Sequence, residues 1–395
     1  MPVEQALERL LALAEAAPIT QTERVSLAEA EGRVLATELV ATLDLPPWPN
    51  SAMDGYALRL ADLQGEPLPV SQRIFAGHAP EPLQPGTCAR IFTGAPMPAG
   101  ADCVEMQENT EVLEDGRVRF LEALTLDQNV RPQGQETRKG EQVMAAGTRL
   151  GPIELGLAAT LGHAELQVVR RVRVAVLSTG DELVEPGLPL GPGQIYNSNR
   201  RLLVSWLQRL GCEVRDMGIV PDNLERTREC LGALGDVDLI LSTGGVSVGE
   251  ADYLGAALRE AGELALWKLA IKPGKPLTFG HYRGVPVLGL PGNPASTLVT
   301  FGLLTRPYLL RRQGVADVTP LRFDVPAGFE WTKAGTRREY LRARIDQGQV
   351  RIYKNQSSGV LRSAAWAEGL VEVREGSTPK PGDSVPFIPL SELLG

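Results

Sequence analysis

Histidine is scarce in this sequence: His78, His163 and His281 are the whole set, and no HExxH pair exists. Cysteine is scarce too, and Cys88, Cys103, Cys212 and Cys230 form no CxxC. A zinc site, a dithiol redox motif and histidine-rich metal chemistry are therefore unsignalled. The cysteines read as small core residues. Any bound metal should be a hard cation held by oxygen. A basic excess is missing as well, since 40 Lys and Arg face 48 Asp and Glu for a net charge of −8. That balance excludes broad binding to nucleic acid or to an anionic membrane. No run approaches the roughly 18 apolar residues of a membrane span. The start, MPVEQALERLLALAEA, is acidic and amphipathic without a basic leader region, so the cytoplasm is the expected compartment.

What is present divides the chain into zones. Residues 1–43 read as two helices, through Val3–Leu13 and again in SLAEAEGRVLA with Ser26 as N-cap. LDLPPWPN then forces an extended exit. Short runs punctuated by Gly and Pro predict a small β domain over 44–139. GPIELGLAATLG returns to helix with Pro152 in the first turn, so 1–43 and 140–169 form a helical linker or dimerisation domain around an insertion. Over 170–315, VRVAVLS, CEVRDMGIV, VDLILS and VPVLGL alternate with helical patterns. That alternation predicts a mostly parallel α/β sheet covered on both faces. Residues 316–395 read as a small C-terminal β domain, with EYLRARIDQGQVRIYK a hairpin turning near Asp346–Gly348.

In open α/β sheets ligands bind beyond the carboxyl ends of the strands. Here STGDEL, STGGVSVGEAD and PGNPAST stand at such ends. Glycine amides with Thr243 and Ser247 suit phosphate oxygens. Asp181, Glu182, Asp222, Glu250 and Asp252 would repel an anion unless a cation bridges them. Asp222 and Asp252 also suit a simple N-cap role. Lys268 and Lys272, four apart in WKLAIKPGKPL, would share a face, with Lys275 following the Pro273-Gly274 turn. The inventory fits Mg2+, which prefers one or two carboxylates plus substrate phosphates and water. The phosphate signatures GxxxxGKS/T and GxGxxG are absent from this sheet.

STGDEL, GQIYNSN, STGGVSVGEADY, WKLAIKPGKP and LPGNPAS, in that order, closely resemble the molybdopterin-binding domain of the MoeA family and its relative in gephyrin. PPWPNSAMDGYA, IFTGAPMPAGADCVEMQE and GTRREYLRAR extend the resemblance over essentially the whole chain. It implies a homodimer with a cleft between subunits, Mg2+ as cofactor, and adenylylated molybdopterin and molybdate as substrates. Hydrolysis would release AMP while molybdenum enters the dithiolene. A molybdopterin adenylyltransferase would act one step earlier. Carried over by motif, Asp54, Thr93, Glu182, Asp222, Asp252, Lys268 and Lys272 are the implied catalytic set, with Glu182, Asp222 and Asp252 as metal ligands. Ser178, Thr179, Gly180, Thr243, Gly244, Gly245, Ser247, Lys275, Pro291, Gly292, Asn293, Pro294, Arg342 and Ser358 are the implied cofactor-binding set. Thr93 would hydrogen-bond an oxyanion.

Three places depart from the family pattern, one of them the tail segment SSGVLRSAAWAEG, which follows it only loosely. Gln135-Glu136 stand where Glu-Asp is usual, and Asn197 stands where aspartate is frequent. Alternatives from the same sheet are tungstate insertion, the adenylyltransferase itself, and a non-catalytic molybdopterin-binding scaffold.

Overall fold

The computed structural model describes residues 1–244, 253–261 and 264–394. These form two compact units, Met1–Thr37 with Ala146–Pro152 and Glu165–Gly395, and Glu38–Ala145 with Ile153–Ala164.

The larger unit is organised by a six-stranded sheet in the order Glu213–Val220, Arg173–Thr179, Leu239–Thr243, Val285–Leu290, Pro276–Tyr282, Leu264–Lys268. The first four strands are mutually parallel, because helices Ser198–Arg209 and Leu224–Gly232 carry the chain between strands. Pro276–Tyr282 joins antiparallel through a tight turn, with Arg283 and Gly284 both at positive φ. The central strands are buried on both faces, which accounts for their continuous apolar runs. From Arg173–Thr179 the chain crosses to one side of the sheet, and from Leu239–Thr243 it proceeds to the other. The connections therefore reverse between the carboxyl ends of these two neighbours, the position at which α/β sheets open a crevice.

A long helical segment follows Val285–Leu290: α-helix Pro294–Thr300, a π turn Phe301–Thr305, and α-helix Arg306–Arg312. Pro307 lacks an N–H and would crowd the carbonyl four residues back, so the π turn sits where the regular ladder fails. The C-terminal sheet runs Ile271–Lys272, Arg338–Asp346, Gly369–Val373, Ser384–Pro389, Phe323–Pro326, with Gln349–Ile352 on the hairpin. Gln347 and Gly348 at positive φ make that hairpin turn. Tyr340, Leu370, Ile388 and Leu393 of this sheet and its final helix share one core cluster with Val174, Leu241 and Leu10.

The helix anticipated after Ser26 is reduced to a single 3-10 turn, Leu27–Glu29. Thr22–Ser26 instead pairs antiparallel with Glu165–Val169, and Gly32 at φ +73 interrupts any continuation. Pairing with a distant segment outweighs local helical spacing here.

The smaller unit holds a four-stranded sheet in the order Val70–Ile74, Cys88–Ile91, Gly55–Leu58, Cys103–Met106. One face buries Ala57, Ile74, Ile91 and Val104, the other Leu58, Leu68, Cys88 and Cys103. Burial pushes the Cys88 and Cys103 thiols up to about 12, consistent with inert core residues. A Cβ at Gly55 would lie 1.8 Å from the Glu105 carbonyl oxygen, so only glycine lets these strands approach.

Candidate functional site

The crevice at the connection reversal is a cavity of about 370 Å3. Its walls include Thr179, Glu182, Thr243, Gly244, Gly292, Asn293 and Pro294 from the anticipated set. Ser178 and Thr243 are partners across paired strands, and their hydroxyl oxygens lie 3.2 Å apart. Gly244 has φ +77, and a Cβ there would come within 2.7 Å of the Thr179 carbonyl. The repeated Ser-Thr-Gly is thus two strand ends packed against each other. Gly180 follows Thr179 at the same edge.

Two walls were missed from sequence. Asn197 caps helix Ser198–Arg209 by accepting from the Arg200 amide, so asparagine fills a position that tolerates either amide or carboxylate. Asn199 donates to the Gly292 carbonyl at 2.6 Å. Thr179, Asn197 and Asn199 are each less than a tenth exposed. Yet Thr179 Oγ1, Asn197 Nδ2 and Asn199 Oδ1 have no hydrogen-bond partner among the described residues. Buried polar groups are normally paired, so this wall offers a donor, an acceptor and a hydroxyl to an occupant. The available signals were the Asn-Ser-Asn run at a helix start and the GQIYNSN motif, in which Asn197 was read only as a lost carboxylate.

At the cavity's edge, carboxylates crowd. The Asp222 amide donates to Asp181 Oδ1 at 3.0 Å, and the Asp181 amide donates to Asp222 Oδ2 at 3.4 Å. Burial, and then the charges of Asp181 and Glu182, hold the Asp222 carboxyl above its ordinary range against the opposing backbone hydrogen bond. Helix Leu224–Gly232 is capped by Asn223, so Asp222 is free of that duty. Among the described residues no group of three or more His, Cys, Asp or Glu is arranged to hold a metal. Asp252, Gly245, Ser247 and Glu250 lie outside the described residues.

The lysines are arranged otherwise than anticipated. Lys268 ends a strand of the central sheet, whereas Lys272 belongs to the edge strand of the C-terminal sheet. They do not share one strand face, because the chain changes sheets between them. Lys272 pairs with Glu339 at 3.0 Å. Lys268 and Lys275 are exposed and have no ion-pair partner among the described residues. None of the three lines the cavity.

The C-terminal sheet reaches the cavity through a loop. Gly359 and Leu361 line it, and the Ser358 carbonyl accepts from the Ala295 amide at 2.9 Å. That bond covers an amide at the helix start beside Pro291, Gly292 and Asn293. Arg342 is fully buried and holds the loop from within. Nε donates to Ser363 Oγ, and Nη2 to the Ser357 carbonyl. Burial among neutral acceptors pushes its guanidinium down to about 10. It is not part of the cavity wall.

In the smaller unit Asp54 and Thr93 do meet. The Thr93 amide and hydroxyl both donate to Asp54 Oδ1, at 2.8 and 2.7 Å. These bonds, with the nearby Arg90 charge, hold the Asp54 carboxyl below its ordinary range. The Thr93 hydroxyl hydrogen is therefore spent on Asp54. Arg90 lies over the Tyr56 and Phe92 rings and donates to the Gly55 carbonyl.

No described helix is long and apolar enough to cross a membrane. The family model for the MoeA N-terminal region (domain I and II) matches residues 1–162. That for a probable molybdopterin binding domain matches 175–311, and that for the MoeA C-terminal region (domain IV) matches 324–390. The molybdopterin molybdenumtransferase of Haemophilus influenzae is 41% identical over 386 residues, covering 95% of this chain and 96% of the relative. That of a Nostoc species is 39% identical over 375 residues, covering 90% and 86%. A crystal structure of a molybdopterin biosynthesis MoeA protein from Pyrococcus horikoshii OT3 has a TM-score of 0.83 at 28% identity, covering 98% of this chain and 99% of the other. A second from the same species has 0.77 at 31%, covering 99% of each. Matched along nearly its whole length, the chain belongs to the MoeA family.

Proposed function

We propose that this chain is a molybdopterin molybdenumtransferase: it hydrolyses adenylylated molybdopterin, inserts molybdate into the dithiolene and releases AMP. The observation that carries this reading is the set of unpaired atoms on the cavity wall. Thr179 Oγ1, Asn197 Nδ2 and Asn199 Oδ1 form a mixed donor and acceptor edge, as a pterin ring with its alternating nitrogens and carbonyl requires. A cavity of about 370 Å3 falls in the range of small-ligand sites.

The chemistry follows from the carboxylates. In hydrolysis the oxygen of water bonds to phosphorus, the bridging P–O bond breaks, and a proton must leave the water. Asp222, whose carboxyl is held above its ordinary range, accepts that proton better than an unperturbed aspartate. The Asp181 amide orients it. Within the smaller unit Asp54, held below its ordinary range by Thr93, is a fixed carboxylate with Thr93 as its positioning residue. Glu182, with Asp252 in the same proposed set, would supply hard oxygen donors to Mg2+ and leave Asp222 to take the proton. When bound, Mg2+ supplies neutralisation of phosphate oxygens. Lys268 and Lys275, exposed and cationic, are available to oxyanions. The working form in this reading is a homodimer, to be checked by sedimentation. The substrate comes from a reaction that adenylylates molybdopterin.

A single-turnover assay with adenylylated molybdopterin, Mg2+ and molybdate tests the reading by following AMP release and pterin-bound molybdenum. Oxyanion-dependent release, lost in Asp222→Asn, is the expected result. Tungstate in place of molybdate identifies the preferred oxyanion. Tight binding of an adduct that stays intact under every condition would overturn catalysis in favour of a scaffold.

A further inference from the structure

A second concavity, of about 330 Å3, lies in the same unit at the opposite, amino end of the central sheet. Leu13 of helix Val3–Ala16, Val237, Phe279 and Val285 give it apolar walls, and Tyr308, Arg312, Asp238 and His281 supply its polar side. Nothing in the proposed reaction uses it.

Arg312 is 6% exposed. Its Nη1 donates to the Asp238 carbonyl and to the Tyr308 hydroxyl, at 3.3 and 3.1 Å. Its Nε is buried without a partner, and Nη2 has none among the described residues. The neighbouring carboxylate of Asp238 is already taken. It accepts both Arg170 Nη atoms, at 2.9 and 3.0 Å, and the Arg173 amide at 2.7 Å. One guanidinium charge is thus left over beside an apolar hollow, with its Nε–Nη2 edge unused. That edge is the planar fork that binds a carboxylate through two parallel hydrogen bonds. The Tyr308 oxygen accepts from Arg312, so its own O–H remains to donate. Burial also pushes the Tyr308 phenol up, keeping that proton in place.

We propose that this pocket binds a small organic monocarboxylate, its carboxylate on the Nε–Nη2 edge of Arg312 and on the Tyr308 hydroxyl, its apolar body against Leu13, Phe279 and Val285. A single leftover cation favours a monoanion. Phosphate would bring extra charge against Asp238 and leave the apolar walls uncovered.

The test is calorimetric titration of the full chain, in a buffer without carboxylates, using benzoate and butyrate as probes. Benzamide is the neutral control and inorganic phosphate the other anion. At least one carboxylate should bind with a Kd below about 1 mM. Benzamide and phosphate should bind at least about tenfold more weakly, as loss of a charge-assisted pair implies. Arg312→Gln should weaken the carboxylate by at least about tenfold. Ala17→Trp fills the mouth of the pocket from an exposed position and should abolish binding while the fold is kept. It carries the test alone if Arg312→Gln does not fold. Saturation by no carboxylate up to about 10 mM, equal binding of benzamide or phosphate, or binding that survives Ala17→Trp would each overturn the assignment.

Discussion

Asp181 and Asp222 hold each other through their own backbones, each amide donating to the other's carboxylate. Two like charges are thereby fixed side by side, and part of the upward displacement of the Asp222 carboxyl comes from Asp181. Replacing Asp181 by Asn removes a negative neighbour, so Asp222 should titrate lower. The acid limb of the single-turnover pH profile should then move to lower pH. The rate itself should fall only modestly, because the Asp181 backbone amide that orients Asp222 is kept and only the basicity of Asp222 is reduced. An unmoved limb would remove Asp222 from the role of proton acceptor.

Thr93 makes the opposite prediction. Its amide and hydroxyl hydrogen bonds are the leading causes that lower the Asp54 carboxyl. Thr93→Ala deletes one of them, so Asp54 should titrate higher and any acid limb due to Asp54 should move up in pH. Thr93→Ser restores the hydroxyl and should restore the profile. If Ser and Ala behave alike, the hydroxyl bond is not what positions Asp54.

Asn197 carries two separable duties. Its side-chain oxygen caps helix Ser198–Arg209, and its buried Nδ2, on a residue of the cavity wall, has no partner among the described residues. Asn197→Ala should cost about 1 kcal/mol of stability and weaken substrate. Asn197→Asp keeps the cap but replaces the donor with an acceptor. Its urea midpoint should stay near that of the parent while KM rises. A parallel change in both quantities would show that only the cap matters.

Arg170 and Asp238 give a stability prediction. Burial alone would raise the Asp238 carboxyl, but the Arg170 hydrogen bonds and the Arg173 amide outweigh it and hold it below its ordinary range. The stabilisation is complete above the unfolded carboxyl pKa, near about 4. It is lost as pH falls through the lowered folded value. Arg170→Gln should cost about 2 kcal/mol at pH 7, and the difference from the parent should shrink in denaturation below about pH 4. A constant difference across that range would exclude the ion pair as its source.

The strands and helices of the α/β segment were readable because their burial pattern is written locally, as in VRVAVLS and RRLLVSWLQRLG. SLAEAEGRVLA was not, since its conformation is set by Glu165–Val169, far along the chain. Lys268 and Lys272 were misjudged for a related reason. Spacing along a chain says nothing about the chain changing sheets at Leu269 and Ala270. The meeting of Asp54 with Thr93 was reachable only through family resemblance, because each alone reads as an ordinary turn residue. The unpaired atoms of Thr179, Asn197 and Asn199 depend on burial from several elements at once, and no residue pattern announces that.

Ile271 and Lys272 leave the central segment to become an edge strand of the C-terminal sheet, and both parts share one interior. Recombination that joined this tail to another lineage's α/β segment would have to match a strand edge and a core simultaneously. A chimera cut near Val315 would inherit two half-finished surfaces instead of two modules. Over evolutionary time the larger unit should therefore be exchanged whole or not at all.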